Sequence, residues 1–168
     1  MDTGLLIIRV VIGLSLAAHG AQKLFGAFGG HGIAGTGGFF ESLGMRPGKV
    51  LATLAGLAEF VGGLGLVLGL LTPFAAAAIV ATMLVAIVKV HFEKGFFGTN
   101  GGYEYPLVLG STAVGLVFTG PGTISLDAIL GLPFAGVKWG LVALGLGVLG
   151  ALPPLASRSV TSAGGATT

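Results

Sequence analysis

Val50 to Leu71 reads VLATLAGLAEFVGGLGLVLGLL, an apolar run broken by a single charge, Glu59. At 1.5 Å rise per residue, a helix over this run crosses the ~30 Å hydrocarbon core of a bilayer. Its glycines would weaken a helix in water by about 1 kcal/mol each relative to alanine. In lipid they serve close approach of a neighbouring helix instead. Gly56 and Gly63 fall on the helix face that carries Glu59. The run therefore reads as a transmembrane helix packed tightly on a partner.

The remaining sequence agrees. Of 168 residues, 54% are hydrophobic and only 8% charged, against about 25% charged in soluble domains. Too few charges exist to coat a water-facing surface. Apolar runs predict spans at about 4–24, 50–71, 73–92 and 104–119, with a fifth candidate at 134–152. The fold class is all-α: a polytopic transmembrane bundle of four helices, or five, in one domain over 1–152. Residues 153–168, opening with Pro153-Pro154, read as a stop followed by a disordered polar tail.

Between the spans, Gly26 to Gly38 reads as a glycine-rich loop or lid, followed by a short piece from Phe39 to Gly48. The glycine run lacks the Gly-Lys-Ser/Thr ending of a phosphate loop. Thr72-Pro73 predicts a tight turn, with Pro73 suited to the first helical position. Glu93 to Tyr103 reads as a loop. Ser125 to Leu132 predicts a short amphipathic helix, N-capped by Ser125, with Asp127 in its first turn.

Some functions are excluded by composition. The chain has no cysteine, so it can run no thiol relay and hold no iron–sulfur cluster itself. Its net charge of +2 forms no basic stripe, and no nucleic-acid partner is expected. Asp2 and Arg9 argue against a cleaved signal peptide, so the first segment is expected to remain as a span. Arg46, Lys49 and Lys94, with Lys23 and Lys89 at loop edges, place the first and third loops on the cytoplasmic side and the N-terminus outside.

Ionisable residues within spans are expensive and therefore informative. Glu59 lies roughly 14 Å into its helix, near the midplane. It must be paired, protonated or hydrated, and Arg9, His19 and Lys23 are the candidate partners. His19 and Lys23 share a face at i, i+4, with Gly13 and Gly20 close to the same stripe, where a partner helix could approach. Lys89, His91, Asn100 and Glu104 project toward the same membrane side as Lys23. His19, Lys23, Glu59, Lys89, His91, Asn100 and Glu104 are thus the candidate ligand-pocket residues, and Arg9 is a candidate ion-pair partner of Glu59. Such a pocket would offer hydrogen bonds and a proton-handling group to a quinone or another small apolar molecule. The same charges would equally serve as ion pairs that fix helix register. Paired haem ligation by His19 and His91, or a metal held by Glu59, Glu104 and His19, has little else behind it, and no metal site is expected.

Several ordered motifs resemble the DoxX family of small membrane proteins. They are His19-Gly20-Ala21-Gln22-Lys23-Leu24-Phe25-Gly26, Gly29-Gly30-His31-Gly32-Ile33, and Gly56 with Glu59-Phe60-Val61-Gly62-Gly63. Leu68 to Pro73, Gly101 to Pro106, Gly120-Pro121-Gly122 and Ser125-Leu126-Asp127 continue the resemblance, which covers about Leu5 to Leu130. It implies a four-helix bundle in a bacterial or archaeal inner membrane, as a subunit or accessory of a quinone-linked or oxidative-stress redox system. Redox partner proteins and a homo-oligomer are compatible with it. The apolar segment Phe134 to Leu152 departs from the family pattern. Two other classes of function fit the same features: a non-enzymatic scaffold that recruits partner proteins, and a small carrier or channel.

Overall fold

The computed structural model describes residues 2–157, and the described residues contain seven α-helices and no strand. Residues 158–168 of the expected tail lie outside the described residues. Four helices are long and apolar enough to cross a membrane. These are α1 (Asp2–Phe25), α3 (Gly48–Leu68), α4 (Thr72–Ala86, continued by turns to Lys94) and α7 (Val137–Ala156). The apolar helix α5 (Glu104–Thr119) is shorter, and α2 (Gly32–Ser42) and α6 (Leu126–Ile129) are connecting pieces.

Helices α1, α3, α4 and α5 pack in a ring, each on the next, and α1 touches α5 to close it. Helix α7 lies outside the ring, mainly on α4 and partly on α5. The core consists of Leu16, Leu66, Ala76, Ile79, Leu109, Val117 and Ala143, all nearly inaccessible. The outer surface carries Ile7, Val11 and Leu14 of α1, Val50, Val61 and Leu68 of α3, and Leu141, Val148 and Leu152 of α7. An apolar exterior of this kind is what lipid contact requires. Aromatic clusters mark both ends of the bundle: Phe74, Phe134 and Trp139 at one, Phe92, Phe96, Phe97 and Tyr103 at the other.

The α1–α3 seam explains the glycine spacing. A Cβ on Gly13 would lie 2.5 Å from the Gly63 carbonyl oxygen, and one on Gly63 would lie 2.6 Å from the Ala17 nitrogen. A Cβ on Gly20 would lie 2.7 Å from the Gly56 carbonyl oxygen. Two antiparallel helices with glycine every seven residues thus meet backbone to backbone, Gly13 with Gly63 and Gly20 with Gly56. Close van der Waals contact is the principal attraction open to helices in lipid.

Two expectations from the sequence need correction, those for the glycine-rich stretch and for Pro153-Pro154. The glycine-rich stretch is not a loop throughout, because Gly32 to Ser42 forms α2. Its glycines permit close packing: a Cβ on Gly37 would sit 2.9 Å from the Lys49 nitrogen. Glu41 also accepts a hydrogen bond from the Gly48 N–H at 3.1 Å, satisfying a free donor at the start of α3. The third apolar helix, expected over 73–92, runs over Thr72–Lys94 and changes form at Ala86, continuing as a π-helical turn over Ile87–His91 and a 3-10 turn over Phe92–Lys94. Pro153-Pro154 does not stop the last helix. Both prolines sit in its final turns, where their φ is compatible with helix, and α7 ends at Ala156. Elsewhere expectation and structure coincide. The fourth predicted segment is α5, and the Ser125 side chain caps α6 by accepting the Ala128 N–H at 3.2 Å.

Candidate functional site

Close packing of α1 on α3 creates the central polar contact. Gly56 lies one turn before Glu59, and a Cβ there would meet the Leu24 Cγ at 2.7 Å and the Lys23 Cβ at 3.3 Å. Because that Cβ is missing, the end of α1 reaches α3, and the Lys23 ammonium donates to Glu59 Oε2. Glu59 is 4% exposed, so the pair is held away from solvent on the carboxylate side. A buried carboxylate with one ammonium partner is expensive to assemble and more expensive to break.

The pair opens into a cavity of about 520 Å3. Helices α3 and α7 both pack on α4 but share no extensive contact, and the cavity occupies the gap between them. Leu51, Leu54 and Ala55 of α3, Val85 and Ala86 of α4, and Pro153 and Pro154 of α7 form its walls. Phe39, Phe40 and Met45 cover one end. Most of the lining is apolar, with Lys23, Glu59, Thr82 and His91 as its polar side chains.

The helix register places these groups. A Cβ on Gly62 would lie 3.6 Å from the Ala78 Cβ. In an antiparallel pair, one turn further brings Glu59 to the level of Ala81 and Thr82. His91 follows Thr82 by about 14 Å along α4, so Glu59 and Lys23 mark the deep end and His91 the rim. His91 Nδ1 is 2.6 Å from the Gly101 carbonyl oxygen. A carbonyl only accepts, so Nδ1 is the donor. His91 also closes the π-helical turn, an irregularity that occurs frequently at functional sites.

Three of the seven residues expected in a pocket therefore line this one: Lys23, Glu59 and His91. His19 belongs to the α1–α5 seam, with Nδ1 3.2 Å from Gln22 Oε1 and Nε2 3.4 Å from the Tyr105 hydroxyl. The two histidines thus serve different seams. Lys89 lies on the π-helical turn but does not line the cavity. Asn100 is exposed in the loop before α5, and Glu104 holds that loop by accepting the Gly98 N–H at 2.8 Å. Among the described residues no three His, Asp or Glu side chains gather as a metal-binding group.

Arg9 is not the partner of Glu59. It is buried at the opposite end of the bundle, donating to the Pro121 and Ile124 carbonyls, each at 2.6 Å. Asp127 lies nearby and accepts from the Leu71 N–H at 2.7 Å, the Thr72 N–H at 3.0 Å and the Thr72 hydroxyl at 2.6 Å. It thereby caps α4 and stabilises Leu71 at φ 49. Gly69, at φ 60, leaves the room that Arg9 needs: a Cβ there would collide with its guanidinium. Arg9 and Asp127 form a structural knot at the α3–α4 turn. Sequence reasoning placed Asp127 in the first turn of α6 but missed its role, since its partners lie 55 and 56 residues away. It also missed the cavity walls from α2 and α7.

The model of the DoxX family matches residues 4–92, which include Lys23, Glu59 and His91. "Putative oxidoreductase CatD" of Bacillus subtilis is 31% identical over 141 residues, covering 84% of this chain and 95% of that protein. A protein of Mycobacterium tuberculosis described as a membrane protein is 32% identical over 132 residues, covering 71% of this chain and 77% of its own length. No solved structure gives a significant match. With the family model spanning more than half its length, and a relative matched almost from end to end, the chain is a member of the DoxX family.

Proposed function

We propose that this DoxX protein is a subunit or accessory of an inner-membrane redox system that binds a quinone-type or other small apolar molecule between α3, α4 and α7. The observation that carries this reading is the cavity of about 520 Å3, apolar along its walls and ending at the Lys23–Glu59 pair, whose carboxylate is buried. Ligand sites characteristically combine an apolar enclosure with a few placed polar groups. A quinone ring fits this lining: Lys23 retains ammonium protons for a carbonyl oxygen, and Glu59 is a proton-accepting group beside it. Oxidation and reduction would belong to the quinone and its protein partner, while this chain binds, orients and shields the ring. The oxidoreductase named among its relatives supports the redox setting.

The test is mass spectrometry of protein gently extracted from its own membrane, wild type beside Glu59→Gln. A stoichiometric small apolar molecule, lost in a folded Glu59→Gln protein, is the expected result. An empty wild-type protein would refute the reading.

A further inference from the structure

The cavity carries a polar group that no side chain supplies. Gly150 lines it together with Pro153 and Pro154. In α7 the Gly150 carbonyl would ordinarily accept from the N–H four residues on, or three in a 3-10 turn. Both positions are proline, and proline has no N–H. No side chain donates to this oxygen among the described residues, and the chain's last turn bonds elsewhere, Ser157 N–H to the Pro153 carbonyl at 3.0 Å. The orphan is not end fraying, because in an unbroken helix ending at Ala156 the Gly150 carbonyl would be bonded.

Its direction and depth follow from the lining. A helical carbonyl points along the axis toward the residues three and four ahead, and here all three residues face the cavity. A Cβ on Gly150 would lie 3.2 Å from the Ala81 Cβ. Ala81 is also the level of Glu59 by the α3–α4 register. The Gly150 carbonyl and the Glu59 carboxylate therefore stand across the deep end of one cavity. In lipid, an unsatisfied backbone group is tolerated only where protein or a cavity provides for it.

Hydrogen-bond bookkeeping at this end is one-sided. The Thr82 hydroxyl donates to the Ile79 carbonyl at 2.9 Å, leaving oxygen lone pairs. Lys23 is committed to Glu59 Oε2, which leaves Oε1 open. Open valences at the deep end are thus Gly150 O, Glu59 Oε1 and Thr82 Oγ1, with only the remaining protons of Lys23 as donors. We infer that the cavity selects a lipophilic ligand with a hydroxyl donor, a phenol or the diphenol form of a quinone, and that the Gly150 carbonyl, freed by Pro153 and Pro154, is one of its recognition groups. This rests on the cavity being a ligand site and adds the chemistry of the group it takes.

The two prolines provide the experiment. Pro154→Ala supplies an N–H to the Gly150 carbonyl, whereas Pro153→Ala supplies one to the Leu149 carbonyl. Both favour helix over proline, so neither should impair folding. The full chain in nanodiscs is assayed by equilibrium binding of tritiated 4-nonylphenol, with 4-nonylanisole as the donor-free match. Wild type is expected to bind the phenol at least about 10-fold more tightly than the ether, and Pro154→Ala to reduce that preference about 3- to 10-fold, the worth of one hydrogen bond. Pro153→Ala should retain it. Equal binding of the two probes by wild type overturns the inference and leaves the cavity a ligand site. An undiminished preference in Pro154→Ala removes Gly150 from it. If neither probe binds, the proposed ligand site and this inference fall together.

Discussion

Replacing Lys23 by alanine while keeping Glu59 leaves a carboxylate, 4% exposed, without its ammonium. Two estimates bound the cost. Removing one partner of a buried ion pair typically costs 3–5 kcal/mol, roughly, because the other charge stays desolvated. A charged residue at a helix centre costs about 2.5–3.5 kcal/mol on insertion scales. Lys23 is partly exposed, at 24%, so some water reaches the site and the lower end applies, about 3 kcal/mol. Adding Glu59→Gln to Lys23→Ala removes the stranded charge, and most of that loss should return. The pair is a double-mutant cycle, and coupling of about 2 kcal/mol is expected from contacting charges. SDS-induced unfolding in mixed micelles, followed by circular dichroism for all four proteins, gives each free energy. Loss of less than about 0.5 kcal/mol in Lys23→Ala would refute the reasoning, because so small an effect belongs to exposed pairs.

The other parts of the structure carry predictions of their own. Gly63→Val would drive a side chain into the Gly13 carbonyl and Ala17 backbone; it should unfold or displace α1 and lose more than about 3 kcal/mol, whereas Gly145→Val, with open space around it, should change stability by less than about 1 kcal/mol in the same titration. Asp127→Ala removes acceptors from Leu71 and Thr72 and the countercharge near Arg9; a loss of about 3 kcal/mol is expected, with faster hydrogen exchange at Leu71 and Thr72. Ser125→Ala deletes the α6 cap and should cost about 1 kcal/mol, read from the same unfolding curves.

How much was legible in the sequence depended on the range of each interaction. Hydropathy marks the apolar runs, so the helices they predict end within a few residues of those in the structure. The seven-residue glycine spacing in α1 and α3 showed that each helix had a close partner, though only packing shows that they partner each other. Depth along a helix is also legible, which is why Glu59 was correctly singled out as buried. Azimuth between helices is not. His19 and Lys23 share a face at i, i+4, yet their side chains diverge, Lys23 to α3 and His19 to Tyr105 on α5. Arg9 seemed available to Glu59 until its carbonyl partners at Pro121 and Ile124 appeared more than 100 residues away. Pro153-Pro154 misled for a different reason. Proline ends helices by withholding donors and crowding the preceding turn, but near a helix end it can leave the path intact and free a carbonyl.

Photoaffinity labelling of the membrane-embedded protein with a photoreactive quinone analogue tests the central claim most directly. Adducts mapped by peptide mass spectrometry should fall on the cavity walls, at Leu51 to Glu59 and Ala81 to His91, and should disappear when unlabelled quinone competes. Labelling spread over lipid-facing residues such as Ile7, Val61 and Leu141, or left unchanged by the competitor, would contradict a ligand site between α3, α4 and α7.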